Sequence, residues 1–341
     1  MDTTDIRKEV TQLRKKRGRL VQVSNVEWYS LFKDEIRNSI AIEGVFANRN
    51  DLIEVLEKNK RTDKQKTAAI LGYFESASAI YEYAANQYME GEFSLRMSDI
   101  RQIHTLLMRY EKEMGFYNGE LGEFRNKRVD VTMSTFTPIN EFHVRQAMEL
   151  LVKWVNHHLN KKTYTPVRLA AMAHVWFGSI HPFRDGNGRS GRILLSYLLI
   201  GCGYINVAIK GVSKKDRNHY YESLEKADDD LESMHRRIEN GDKFKVADVD
   251  KLIHKKNFDE FTAIVVESLE DSVSRLKEID IEHVDKEALL PLSDLSHLYN
   301  YCPDYLRNLI NRGKIKGQKK GKTWYVRVKD LADYIEELKS D

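Results

Sequence analysis

Cysteine is nearly absent. Cys202 and Cys302 are the only two in 341 residues, in unrelated contexts, which argues against a disulfide framework and against a cysteine zinc site. Both are expected to be buried small hydrophobes. Long apolar runs are missing too: none approaches the roughly 20 residues needed to span a bilayer. The N-terminus, Met1 to Lys8, is charged with no apolar stretch behind it, unlike a secretory leader, so a cytoplasmic protein without a membrane partner is expected. Proline is scarce, five in all, with none between Asn25 and Met108. Helix formers fill that stretch with apolar residues at spacings of three and four, which predicts a helical lobe.

Acidic residues are lacking in one place. Arg307 to Lys329 holds nine basic residues (Arg307, Arg312, Lys314, Lys316, Lys319, Lys320, Lys322, Arg327, Lys329) and no acid, although the whole chain is only +3. That block favours a polyanion. A second basic run, Arg14 to Arg17, reads as a solvated helix face. The composition, 41% hydrophobic and 31% charged, is that of globular protein with room for two or three domains.

Along the chain, Ser39 and Glu43 lie four apart on one helical face, and Gly44 is placed to end that helix. Gly115 to Pro138 brings glycines and then alternation, predicting a loop into a short hairpin. Helical periodicity returns from Asn140 to Leu159. Thr165 and Pro166 give an N-cap and a first-position proline for the helix running into His181. That helix carries His174, expected to be packed and hydrogen-bonded. Leu194 to Leu199 reads as a buried helix ended by Gly201 and Gly203, and Arg217 to Leu231 as another. Asp248 to Asp280 predicts one or two amphipathic helices. From Pro291 onward, two short helices, a turn at Tyr301 to Pro303 and the wing Thr323 to Val328 predict a winged helix-turn-helix.

The chemistry concentrates in His181 to Arg192, which packs an imidazole, a carboxylate, three glycines and three arginines between two apolar helices. Gly186 to Gly191 formally matches G-x-G-x-x-G, but helices rather than a strand surround it, and it is no Walker loop. What remains is shared physics: small residues and a helix start near Gly188 aim backbone amides and the positive dipole end at an anion. Arg189 and Arg192, three apart on that helix, suit a triphosphate. Asp185 offers one hard carboxylate, as magnesium shared with phosphates requires. His181, with an ordinary pKa near 6.5, can take a proton from an attacking hydroxyl. Together these describe phosphoryl or nucleotidyl transfer.

His-Pro-Phe-x-Asp-Gly-Asn-Gly-Arg-x-x-Arg resembles the signature of the Fic family, and His181 to Arg192 meets every fixed position. Gly122 to Arg125 and the hairpin after it resemble the family's flap. The resemblance implies a mainly α fold, an all-α Fic domain with a small β-hairpin flap followed by the winged helix-turn-helix. The expected division is an N-terminal lobe over 1–110, a catalytic core over 111–240, a helical linker over 241–289 and the winged module over 290–341. It further implies transfer of AMP from ATP, with Mg2+, to a Ser, Thr or Tyr hydroxyl of a target protein, possibly the chain itself. By position His181 becomes the base and Asp185 the metal ligand. Gly186, Asn187 and Gly188 form the cradle, Arg189 and Arg192 hold phosphates, Phe183 anchors the loop and Tyr220 packs by the adenine. The flap, about 125–137, would pin the target chain as an added strand. Where many relatives have an asparagine near the base this chain has Asp228. Ser39, Glu43 and Gly44, within about 36–44, resemble an inhibitory helix whose glutamate pairs with Arg192 and leaves ATP in an unproductive pose. A buried pair of this kind costs roughly 3–5 kcal/mol to break from one side. The tail resembles excisionase and MerR-like DNA binders, with Tyr305 to Arg312 as the recognition helix and Lys319, Lys320 and Lys322 at the wing tip, making DNA an expected partner through 290–341. A homodimer is expected from the resemblance alone. A regulator that only senses nucleotide, or an enzyme moving another nucleotide or phosphate group or removing AMP, are the competing readings. Intact His181 and Asp185 favour an enzyme over the sensor.

Overall fold

The computed structural model describes residues 2–61, 63–129, 136–242, 244–278, 286–299, 301, 303–321 and 323–340. The centre of the expected flap, 130–135, lies outside them, as do Cys302 and Lys322; among the described residues around that centre there is no strand. The chain forms two compact units, one of Met1–Gln22 with Leu31–Val273, the other of Val23–Ser30 with Ser274–Asp341.

The first unit is helical: α1 (Thr3–Arg17), α2 (Val26–Ile42, of which the part from Leu31 belongs here), α3 (Arg49–Leu56), α4 (Lys64–Glu90), α5 (Met97–Glu113), α6 (Val144–Lys161), α7 (Pro166–Ile180), α8 (Asn187–Gly201), α9 (Lys214–Glu225), α10 (Asp228–Glu239), α11 (Val246–Leu252) and most of α12 (Asp259–Glu278). None among the described residues is long and apolar enough to cross a membrane. Its centre is the pair α7 and α8, both buried over nearly their whole length and packed against α4, α5 and α6. Gly72 lets α4 and α5 meet closely, since a Cβ there would fall 2.0 Å from the Leu107 carbonyl oxygen. Capping follows the sequence. Thr165 Oγ1 accepts from the Arg168 amide with Pro166 at the first helical position, and α4 starts at Asp63 and stops at Gly91.

Three expectations change. The single helix read over Arg217 to Leu231 is two, α9 and α10, broken at Lys226 and Ala227. Asp228, Asp229 and Asp230 supply the acidic first turn that favours a new helix start. Arg14 is no solvated residue: it donates to the carbonyls of Gly203 (3.0 Å) and Tyr204 (2.7 Å), tethering α1 to the end of α8. Cys202 is half-buried rather than buried.

The second unit carries the winged module: β1 (Leu289–Pro291), α13 (Leu292–Tyr299), α14 (Pro303–Asn311), β2 (Gly317–Lys320), β3 (Thr323–Arg327) and α15 (Val328–Ser340). Its antiparallel sheet has the order β1-β3-β2, with Leu290 opposite Val326 and Gln318 opposite Tyr325. Leu292, Leu295, Leu306, Leu309, Ile315, Val326, Val328 and Leu331 make its core.

One buried acid fixes the α2 segment in the first unit. Glu35, 2% exposed, accepts hydrogen bonds from Tyr73 (2.9 Å), Tyr81 (2.5 Å), Asn206 (2.7 Å) and Ser196 (3.3 Å). All four donors are neutral, and burial pushes its carboxyl up from 4.5 to about 7. The folded state therefore binds this proton more tightly than the unfolded chain. The associated stability is complete below the unfolded value and is lost as pH rises through about 7. Glu35→Gln, which cannot ionise, should gain melting temperature relative to wild type as pH increases from about 5 to about 8; a difference that stays flat over that range would contradict the assignment.

Candidate active site

The motif loop is held at its entry, floor and exit. At the entry, His181 ends α7 in the left-handed region (φ 50°), and its amide bonds the Phe177 carbonyl at 3.1 Å. Arg125, at the start of the expected flap, brackets this turn. Its amide donates to the Pro182 carbonyl (2.8 Å), its Nε to the His181 carbonyl (2.8 Å), and one terminal nitrogen to the carbonyls of both Ile139 and Ile180. Phe183 is fully buried and stacks on His104 with ring centroids 3.8 Å apart. The Asn187 side chain closes the loop, accepting from the Phe183 amide (2.8 Å) and donating to its carbonyl (2.9 Å). The amide is thus what Asn187 has left for an anion.

At the exit, Gly186 takes φ 74° and precedes α8, whose first internal bond runs from the Ser190 amide to the Gly186 carbonyl at 2.9 Å. The amides of Asn187, Gly188 and Arg189 come before that bond and point out of the helix start, a cradle for an anion. A Cβ on Gly188 would lie 2.3 Å from a Glu43 carboxylate oxygen. That glutamate therefore rests against the cradle itself.

His181 Nδ1 lies 3.3 Å from the Gly178 carbonyl. A carbonyl can only accept, so Nδ1 carries the proton and Nε2 keeps its lone pair. Burial lowers the imidazole below its usual value, which keeps it neutral near pH 7. Asp185 is exposed on the wall of a cavity of about 960 Å³ that also takes in Glu43, Glu111, His181, Gly188, Arg189, Arg192, Tyr220 and Asp228.

The two arginines have different partners. Arg192 uses all three nitrogens: Nε donates to Ser39 Oγ (2.7 Å), one terminal nitrogen to the Ser39 carbonyl (3.0 Å) and a Glu43 oxygen (2.6 Å), the other to Tyr220 Oη (3.3 Å). The Tyr220 hydroxyl lies 2.9 Å from His174 Nε2, so His174 is the packed, hydrogen-bonded residue expected. Arg189 forks onto both oxygens of Glu111. Side-chain exposure separates the pairs: 7% and 11% for Arg189 and Glu111, but 33% for Glu43 against 4% for Arg192. The one-sided cost of roughly 3–5 kcal/mol belongs to the Glu111 pair, and the half-solvated Glu43 contact is cheaper to open.

A family model described as Fic/DOC matches residues 94–199, and a helix-turn-helix domain model matches 289–339. The chain contains a Fic/DOC family domain, with a helix-turn-helix domain at its C-terminal end. It is 25% identical over 310 residues to a probable protein adenylyltransferase of Aquifex aeolicus, covering 90% of this chain and 88% of that one. It is 32% identical over 144 residues to the protein adenylyltransferase Fic of Drosophila yakuba, covering 42% of this chain but only 27% of the fly protein. Among solved structures, a Fic-domain signalling protein of Bacteroides thetaiotaomicron aligns with TM-score 0.60 at 21% identity over 81% of this chain and 96% of that one. Fic-1 from C. elegans aligns with TM-score 0.55 at 20% identity, over 81% and 72%. These two likenesses concern the fold.

In the first unit, the structure brings His181, Asp185, Asn187, Gly188, Arg189, Arg192 and Tyr220 to one cavity, with Ser39 and Glu43 against Arg192, while Gly186 and Phe183 are buried and do not line it. Sequence reasoning missed Glu111, His104 and the bracketing role of Arg125. His104 accepts from the Gly122 amide through Nδ1 (2.9 Å) and reaches the Asp185 carbonyl through Nε2 (3.1 Å), so it joins the flap's base to the loop. Burial pushes it down to about 4, and it stays neutral. No local pattern marks these residues, because the partners that tie them to the site lie far along the chain, 18 and 81 positions away for His104, 78 for Glu111 and 56 for Arg125 with His181.

Proposed function

We propose that this protein is a self-restrained protein adenylyltransferase that moves AMP from ATP to a Ser, Thr or Tyr hydroxyl of a protein. The observation that carries the reading is Arg192, whose three nitrogens are all bonded to protein, beside a cradle occupied by the same Glu43. Ser39 and Tyr220 hold the buried side of this arginine, and the partly exposed Glu43 carboxylate takes the contact that a phosphate could replace.

In the open state the triphosphate would lie on the amides of Asn187 to Arg189, with Arg192 turned to its terminal phosphate. The target hydroxyl attacks the α-phosphorus as its proton passes to His181 Nε2. The bond from the α-phosphorus to the bridging oxygen of the β-phosphate breaks, and pyrophosphate leaves. Gly178, by taking the Nδ1 proton in a hydrogen bond, keeps the basic nitrogen on the substrate side. Tyr220 packs at the far side of Arg192, next to the expected adenine. The donor set suits Mg2+: Asp185 offers a single exposed carboxylate within the anion loop, which fits an ion that takes its other ligands from phosphate and water. When bound, it would neutralise charge on the phosphates. In the closed state Arg192 is unavailable to the terminal phosphate and the chain between phosphates is left poorly oriented, which lowers the rate without removing any catalytic group.

The winged module supports DNA binding. With Leu306 and Leu309 buried, α14 exposes Arg307, Asn308 and Asn311, side chains able to meet base edges, while Lys319 and Lys320 extend over Trp324 and Tyr325 on the wing.

With radiolabelled ATP and magnesium, Glu43→Gly should label itself or an added protein about tenfold or more above wild type, and adding His181→Ala should abolish the label. Equal labelling by wild type removes the brake, and persistent labelling removes His181 as base. Random duplex DNA should shift in a gel at low salt, less so as salt rises, and more weakly with the double variant Lys319→Glu, Lys320→Glu. Absence of any shift at low salt would count against the DNA assignment.

A further inference from the structure

Two carboxylates hold the two arginines of the motif, and only one of them behaves as a removable contact. Glu43 stands at the end of α2, just before Gly44, whose φ of 83° breaks the helix; it meets Arg192 through one oxygen and is a third exposed. Glu111 stands within the last turn of α5, meets Arg189 through both oxygens, and is almost wholly buried. It belongs to a stripe at positions i, i+4 and i+7 of that helix. His104 bonds the Asp185 carbonyl, the Met108 sulfur lies where a Cβ on Gly186 would come within 2.5 Å and 3.7 Å from a terminal nitrogen of Arg189, and Glu111 takes the Arg189 fork. These three side chains contact the anion loop in order along its length. The fork leaves Arg189 Nε, which is buried and has no hydrogen-bond partner among the described residues, although Arg189 lines the cavity.

We propose that Glu111 is a positioning residue: it fixes the Arg189 guanidinium by its two terminal nitrogens beside the amides of the anion cradle, so that the arginine's charge meets the phosphates from one direction, and it does so in the restrained and the active state alike. It is not a second brake. The inference rests on the nucleotide-transfer reading, and it adds a fixed support beside the releasable one. A carboxylate that stays on a phosphate-binding arginine also limits that arginine to one direction of approach, because the forked face is occupied.

The test reads binding apart from turnover. In the Glu43→Gly, His181→Ala background, titration with a fluorescent ribose-substituted ATP analogue and magnesium should show about tenfold or more weaker binding when Glu111→Gln is added. Glu111→Asp, which keeps the charge on a shorter arm, should fall between the two. In the Arg189→Ala background Glu111→Gln should change nothing further, as expected if Glu111 acts through Arg189. In the otherwise wild-type chain Glu111→Gln should not raise AMP transfer. Tighter analogue binding, or increased transfer with Glu43 intact, would show a second brake and overturn the proposal. Unchanged affinity would overturn it as well. Should Glu111→Gln fail to fold, Arg189→Lys with Glu111 intact is the alternative probe: a lysine cannot span both carboxylate oxygens and should lose a similar factor, and full retention of binding would overturn the proposal. Failure of the Glu43→Gly, His181→Ala protein itself to bind the analogue would instead remove the nucleotide reading on which the inference stands.

Discussion

The guanidinium of Arg192 is the point on which this domain's chemistry turns. It lies in the second turn of a buried helix, charged at any working pH, and a charge so placed must be fully hydrogen-bonded. The chain meets that demand with Ser39, Glu43 and Tyr220. On the proposed reading, these bonds withhold a cation that would otherwise meet a terminal phosphate, so that stability and restraint would come from the same contacts. Activation would then require replacements for them, and a phosphate group is a chemically suitable one.

Two helices present these contacts in the same way, through side chains one and two turns apart. On α2 the stripe is Glu35, Ser39 and Glu43; on α5 it is His104, Met108 and Glu111. The deep end of the α2 stripe is locked, with Glu35 among four donors, Asn38 accepting from the Gly211 amide (3.0 Å) and Tyr221 donating to the Ile42 carbonyl (3.0 Å). The last residue alone is partly in solvent. Release therefore calls for a change at one side chain, and the helix can remain docked. The α5 stripe has no such loose end, which suits elements that must be in place in every state.

Much of the site was legible because its residues are neighbours in sequence and their chemistry is local. A base, a carboxylate, glycines for an anion and two arginines on one helical face need only a turn between two helices to work together. Thr165 with Pro166 and the glycine after Glu43 announced helix ends by the same local logic. The pairing of Glu43 with Arg192 spans 149 positions and was readable only through the family resemblance. Glu111, His104, Arg125 and Arg14 were not readable, since a single polar residue on an amphipathic helix carries no mark of what tertiary packing will bring against it. The break between α9 and α10 was missed for a different reason: helix propensity runs through Lys226 and Ala227 unbroken, and only the run of three acids after them hints at a second start.

The central claim, that Glu43 and a phosphate compete for Arg192, is tested most directly by crystal structures of two proteins, the His181→Ala variant and the His181→Ala, Glu43→Gly double variant, each with ATP and magnesium, the first substitution preventing turnover. The account predicts Arg192 on Ser39 and Glu43 in the first and within hydrogen-bonding distance of the terminal phosphate in the second. Arg192 bonded to that phosphate in both, with Glu43 still beside it, would contradict the claim.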